Sequence, residues 1–349
     1  MIITFVSVFT ALIVALVFTP IAKKIAVRLK IYAPTNHRTV HSGSTPKLGG
    51  LSIFFAFTVG LIIFTFYTKE IRILGGLLMG GSLMLIVGLF DDLYNLSCYR
   101  KMTGQTLAAI VAVAFGFVVD TIYLPSGTVL HLGVWAAPLS VFWIVALTNA
   151  INLIDGLDGL ASGFAIVVAF FVFAGAIIFD NLGIAATSLI LIAATLGFLR
   201  YNFAPAKIFL GDMGSLFLGF ALACISLKAF TLPETGSHVA VLLVLFLVPL
   251  ADTFIAILRR VREGRHPFSA DKKHIHHRLL DLGLSQTGAV LIIYAATFLC
   301  GVGALVLFVA DTQMALMLLA IILLFFFLAF AQLGCFDFVT RREYSKELG

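Results

Sequence analysis

Apolar residues in this chain neither alternate nor gather on one helical face; they run. Eleven mostly apolar stretches can be marked, at 3–21, 48–67, 73–90, 104–119, 134–150, 160–179, 183–199, 213–230, 239–258, 287–308 and 314–333. Each is close to the roughly 17–25 apolar residues that a helix needs to cross a bilayer. The pattern predicts an all-α polytopic membrane protein of about eleven transmembrane helices, and an odd number puts the termini on opposite sides. The first run has no basic segment before it, and Lys23 and Lys24 follow it. That is the order of a first spanning helix rather than of a cleaved signal. Between the fourth and fifth runs, Pro125-Ser126-Gly127 separates two β-prone stretches and predicts a small hairpin over 121–131.

Charge adds the orientation. The chain has 23 Lys and Arg. Twenty of them fall in the segments 22–47, 100–101, 200–207 and 259–286 and in the C-terminal tail, leaving Lys69, Arg72 and Lys228 for the other face. Positive loops stay in the cytoplasm, so the N-terminus is expected outside and the C-terminus inside. Composition agrees: 61% of residues are hydrophobic, 11% are charged and mean hydropathy is +1.11. Soluble domains carry about 25% charged residues. This excludes a cytosolic enzyme, a disordered scaffold and a nucleic-acid-binding domain, although net charge is +6. Cys98, Cys224, Cys300 and Cys335 stand far apart and read as packing residues. No repeat divides the chain, so residues 1–349 are expected to form a single integral domain, with 259–286 as a basic, histidine-bearing loop within it.

Polar chemistry clusters at the cytoplasmic ends of the predicted spans. The third run ends in Asp91-Asp92-Leu-Tyr-Asn95, followed by Arg100, Lys101 and Gln105. Adjacent carboxylates at an interface need a cation or a proton, or serve as an acidic anchor. The fifth run ends in Asn149-x-x-Asn152-x-x-Asp155-Gly-Leu-Asp158-Gly159. Oxygen-bearing side chains at every third position would line one wall of a helix, and the glycines permit a break. Asp212 lies between glycines where the eighth run begins, as a ligand or as a helix cap. Five carboxylates and two amides at one face make a hard-oxygen set suited to Mg²⁺ or Mn²⁺. Lys47, Arg100, Lys101 and Lys207 stand around them, a combination suited to phosphoryl transfer. In the 259–286 loop, Lys272, Lys273, His274, His276, His277 and Arg278 predict a diphosphate clamp. Zinc ligation and a basic patch for anionic lipid are the competing readings. Asp252, seven residues inside its run from Arg259, is either functional or a hydrogen-bonded structural group.

Taken together, Asp91-Asp92, Asn149-x-x-Asn152-x-x-Asp155-Gly-Leu-Asp158-Gly-Leu, Phe209-Leu-Gly-Asp212-Met-Gly-Ser and His274-Ile-His-His277-Arg resemble the polyprenyl-phosphate N-acetylhexosamine-1-phosphate transferases. The Arg38-x-x-His41-x-x-x-x-Pro46-Lys-Leu-Gly49-Gly50 segment belongs to the same likeness, which covers nearly the whole chain in order. The 272–280 loop looks like the branch that uses UDP-N-acetylglucosamine. Ile275 interrupts the three-histidine run of the peptidoglycan branch, which uses UDP-N-acetylmuramoyl-pentapeptide, and Asn95 stands where many relatives carry a charge.

The resemblance implies Mg²⁺-dependent transfer of N-acetylglucosamine-1-phosphate from UDP-N-acetylglucosamine to undecaprenyl phosphate, with release of UMP, as the first lipid-linked step of a cell-envelope polysaccharide. By the same likeness Asp212 would hold the metal with Asn152 assisting. Asp91 would be the base on the lipid phosphate, with Asp92 beside it. Asp155, Asp158, Asn202 and Phe209 would line the uridine and phosphate pocket. Lys47, Lys101, His274, His276, His277 and Arg278 would hold substrate phosphate. Homodimers are frequent among such relatives. A secondary transporter is the reading from another class; it would place its site at the bilayer midplane within inverted repeats, and none is visible.

Overall fold

The computed structural model describes residues 1–32, 45–124, 126–232, 236–267, 271 and 273–335. Arg38, His41, Lys272 and the basic C-terminal tail lie outside the described residues.

Every expected run is helical, although not every one is a simple span. Nine helices among the described residues are long and apolar enough to cross a membrane. They include α1 (Ile2–Arg28), α2 (Gly49–Thr68) and α3 (Ile71–Tyr94). The fourth run is the shorter α4 (Cys98–Ala114), of 17 residues. Then come α5 (Ala136–Ile154), α6 (Leu160–Ile178), α7 (Leu182–Asn202) and α8 (Gly211–Ala229). The ninth run departs from expectation. It divides at Phe246 into α9 (Val239–Leu245) and α10 (Leu247–Arg262), bent by 81°. Pro249 is the cause: its ring clashes with the carbonyl four residues back, which is that of Leu245, the last residue of α9. The expected eleven spans are therefore nine long helices, one short helix and one broken run. A short α11 (Ile275–Asp281) precedes α12 (Gln286–Val309) and α13 (Thr312–Gln332).

The predicted hairpin is present as β1 (Thr121–Tyr123) and β2 (Val129–His131), antiparallel with Ile122 opposite Leu130. It does not stand alone. β3 (Thr231–Leu232) and β4 (Gly236–Ser237) extend it into a four-stranded sheet of order β2-β1-β4-β3, which ties two connections together at one end of the bundle. The acidic residues lie at the opposite end.

α8 is the axis of the molecule. Of its 19 residues only Asp212 and Lys228, one near each end, are not buried. It is enclosed by α2, α3, α5 and α6. In lipid, helices associate through close packing rather than through exclusion of water, so small residues permit contact. One such contact sets backbone against backbone between helix starts: a Cβ on Gly50 would come within 2.2 Å of the Gly214 nitrogen. That approach lets Phe209 N–H donate to the Pro46 carbonyl, and Gly49 and Gly50 N–H to the carbonyls of Phe209 and Leu210. The start of α2, bearing Lys47, is thereby stitched to the start of α8, bearing Asp212.

Candidate active site

Five helix ends converge where α8 begins. Asp91 and Asp92 lie on the last turns of α3, Lys101 on the first turn of α4 and Asn152 on the last turn of α5. Lys47 precedes α2, and Asp212 is the second residue of α8. The Lys101 ammonium sits among three of these groups, 2.6 Å from Asp91 Oδ2, 2.8 Å from Asn152 Oδ1 and 3.6 Å from Asp212 Oδ2. Asn152 Nδ2 donates to Asp212 Oδ1 and to Ser215 Oγ, both at 2.8 Å. Asp91 Oδ1 also accepts from the Leu96 N–H, which fixes the carboxylate against the bend that follows α3.

Asp92 has a different setting. Its carboxylate has no exposed surface and lies 2.6 Å from Lys47 Nζ. It accepts from the backbone N–H of Asp212 at 3.0 Å and of Met213 at 3.2 Å. Asp92 thus satisfies donors that the first turn of a helix leaves free, and it anchors Lys47 at the same time. Burial acts to lower the Lys47 pKa, but Asp212 and Asp92 outweigh it and the group is held above its ordinary value.

The predicted wall of oxygens along one helix is broken up. Asn149 faces away from the site and pairs with Gln105, donating to its Oε1 at 2.5 Å and joining α4 to α5 inside the bundle. The helix ends at Ile154, and Asp155 to Gly159 form a turn in which Gly159 adopts φ +79°. Asp155 is recessed in that turn. Burial and then the Asp212 charge push its carboxyl up to about 8, with Lys47 opposing. Asp158 Oδ2 accepts from the Ala206 N–H. Asn202 is buried, accepting from Ser162 Oγ and donating to the Ile208 carbonyl. Asp158 thus binds the 155–159 turn, and Asn202 binds α6, to the segment that leads into α8, and Phe209 lies in that segment with its backbone paired to Pro46 and Gly49. Arg100 and Lys207 are exposed.

The histidine loop closes over the turn. His276 is 2% exposed, and its Nε2 edge rests on Gly156, where a Cβ would come within 2.2 Å. Its Nδ1 is buried with no hydrogen-bond partner. Burial first, and then His277, lower its pKa to about 3, so the ring is neutral near pH 7. The sequence reading placed His276 among the phosphate-holding groups as a basic residue; here its ring carries no charge. His274 is also buried, and His277 is half-buried with its ring 4.3 Å from that of His276. Arg278 is turned toward main chain, with Nη1 donating to the Leu333 carbonyl at the end of α13 and Nε to that of Lys273. Two partnerships had no signal in the sequence, because each joins residues far apart in the chain or on different elements: Asp252 with His274, and the buried Arg259 with Asp271.

Among the described residues, no three His, Cys, Asp or Glu side chains are grouped as a protein-only metal cage. The Asp212 and Asn152 oxygens, already arranged around an ammonium, fit Mg²⁺, which takes one or two carboxylates and completes its shell with water and substrate phosphate.

Comparison with known proteins adds the family. The profile of glycosyl transferase family 4 matches residues 74–230, from α3 to the end of α8. The chain is 40% identical over 317 residues to a probable undecaprenyl-phosphate N-acetylglucosaminyl 1-phosphate transferase of Bacillus subtilis, spanning 90% of this chain and 88% of the relative. It is 33% identical to a decaprenyl-phosphate N-acetylglucosaminephosphotransferase of Mycolicibacterium smegmatis, over 84% and 80% of the two chains. It is 29% identical to the undecaprenyl-phosphate alpha-N-acetylglucosaminyl 1-phosphate transferase of Escherichia coli K12, over 87% and 84%.

Proposed function

This chain belongs to glycosyl transferase family 4, and from that membership we propose that it transfers N-acetylglucosamine-1-phosphate from UDP-N-acetylglucosamine to undecaprenyl phosphate. A phosphate oxygen of the lipid attacks the sugar-bearing phosphorus of the donor, the bond from that phosphorus to UMP breaks, and undecaprenyl-diphospho-N-acetylglucosamine is formed. The observation that carries the reading is the Lys101 ammonium held among Asp91, Asn152 and Asp212 at the mouth of the bundle. Acidic groups there can hold a cation, and a lysine beside them can meet phosphate. Catalysis of this transfer is mainly positioning and charge neutralisation.

In this reading Asp212 and Asn152 hold Mg²⁺, or Mn²⁺ in its place, and the bound ion neutralises charge on the diphosphate. Asp91 faces the acceptor phosphate as its base. Asp92 keeps Lys47 and the start of α8 in place. The 155–159 turn and the neutral His276 receive the nucleotide end of the donor. The site opens to the cytoplasm of a bacterial inner membrane, where the basic loops are expected.

The test uses purified protein in detergent with undecaprenyl phosphate and Mg²⁺, following UMP release from UDP-N-acetylglucosamine and, separately, from UDP-N-acetylmuramoyl-pentapeptide. UMP from the first alone is expected. UMP from the second alone would keep the chemistry and overturn the sugar, and UMP from neither, in folded protein, would overturn the reaction as stated.

A further inference from the structure

Asp252 lies outside the acidic ring at the mouth of the bundle, yet it is 4% exposed. The sequence places it inside a spanning run, and the 81° bend removes it from the axis of that run. α10 leaves α9 at Phe246 and packs against α5 and α12, so Asp252 meets the start of α11. Its two oxygens are both engaged there. Oδ2 is 2.8 Å from His274 Nδ1, and Oδ1 accepts from the Ile275 N–H at 2.9 Å.

An ionised carboxylate can only accept, so this contact places a hydrogen on His274 Nδ1 and fixes the ring in its plane. The His274 ring is itself 4% exposed and lies parallel to that of His276, with centroids 5.9 Å apart. His276 in turn rests on Gly156, between Asp155 and Asp158 in the chain, and keeps an unpaired, buried Nδ1. A second contact from the same helix holds the other side of the loop: Arg259, 1% exposed, donates from Nε to Asp271 Oδ2 and from Nη1 to the Lys273 carbonyl. α10 thus holds Asp271, Lys273, His274 and Ile275, and the His274 ring is oriented by that hold.

We propose that Asp252 is a positioning residue for the donor half of the site: through His274 it holds His276 against the Asp155–Asp158 turn, in the orientation that leaves Nδ1 for a nucleoside-diphosphate sugar. The inference rests on the reaction proposed above. Its physical content is pre-organisation. Without the charged acceptor, His274 is free to change tautomer and orientation, and donor binding must then order the loop at its own expense.

The experiment is a steady-state comparison of full-length wild-type, Asp252→Asn, Asp252→Glu, His274→Asn and the Asp252→Asn/His274→Asn double variant in detergent. UDP-N-acetylglucosamine and undecaprenyl phosphate are each titrated at saturating levels of the other. Carboxylates that orient a metal-binding histidine from behind are commonly worth about 10–100-fold, and a loss at the lower end of that scale is expected here. Asp252→Asn should therefore raise the KM for UDP-N-acetylglucosamine about tenfold or more, leave that for undecaprenyl phosphate near the wild-type value, and lower kcat by less than the KM rises. Asp252→Glu should recover part of the loss. The double variant should be no worse than the more impaired single one, because the two residues act as one unit. Should Asp252→Asn fail to fold, the donor-only rise in KM must appear in Asp252→Glu and His274→Asn. Equal changes in both KM values, an unchanged donor KM, or additive losses in the double variant would overturn the role of Asp252 while the reaction stands. Wild-type protein that releases no UMP would overturn the reaction itself, and the donor role with it.

Discussion

Asp91 and Asp92 are neighbours in sequence and on one helix end, but their surroundings assign them different work. Asp91 shares Lys101 with Asn152 and Asp212 and faces the mouth of the site. The Asp92 carboxylate has no exposed surface; it holds Lys47 on one side and two N–H groups of α8 on the other. Removing one partner of a buried ion pair leaves the other charge uncompensated and costs about 3–5 kcal/mol. Asp92→Asn is therefore expected to lower the thermal unfolding temperature in detergent and to reduce turnover with it. Asp91→Asn should abolish turnover with little change in unfolding temperature. Parallel thermal scans and UMP-release assays decide between them: a stable but inactive Asp92→Asn would move Asp92 from support into the chemistry.

At the scale of elements, the site depends on how closely helix ends can approach. The stretch Pro46-Lys47-Leu48-Gly49-Gly50 leads into α2, and Gly50 lies against the backbone of Gly214. A methyl group placed 2.2 Å from a backbone nitrogen cannot be accommodated by a side-chain rotation, so α2 and α8 must separate. Overpacking of this kind costs about 1–3 kcal/mol. Gly50→Ala should lower the unfolding temperature and also draw Lys47 away from Asp92, with a loss of activity larger than the stability change explains. The combined result of a thermal scan and a kcat measurement checks this, and wild-type kcat in a folded Gly50→Ala would refute the stitching argument. Such elements differ in how far the sequence discloses them. Run lengths disclose the spans, because a bilayer imposes a length on every crossing segment. Pro249 carried the signal for the break in the ninth run, but continuous hydropathy on both sides concealed it. The four-stranded sheet was half visible, since β1 and β2 are local in sequence whereas β4 joins them from a connection more than a hundred residues away.

For the whole molecule, the same distinction separates what was legible in the site from what was not. Asp91, Asn152 and Asp212 could be grouped beforehand because all lie at ends of runs that the alternation of spans places on one face. The partners of Lys101, the turn of Asn149 toward Gln105 and the pairing of Asp252 with His274 depend on which helices touch, which no one-dimensional pattern encodes. We propose the orientation of the bundle from charge. Among the described residues, fifteen Lys and Arg belong to the site end or its loops, while Lys69, Arg72 and Lys228 belong to the end that carries the sheet. A bilayer sorts such a distribution with the basic end in the cytoplasm, which under the proposed function is the side that would supply the nucleotide-sugar donor. Native Cys98 begins α4 at the site end and is half-buried, while Cys224, Cys300 and Cys335 are buried. Ser126 is exposed in the turn between β1 and β2. In intact cells, a membrane-impermeant maleimide should label Ser126→Cys and spare Cys98, and Cys98 should react only after the membrane is opened. The reverse pattern would invert the molecule and overturn the cytoplasmic placement of its acidic site.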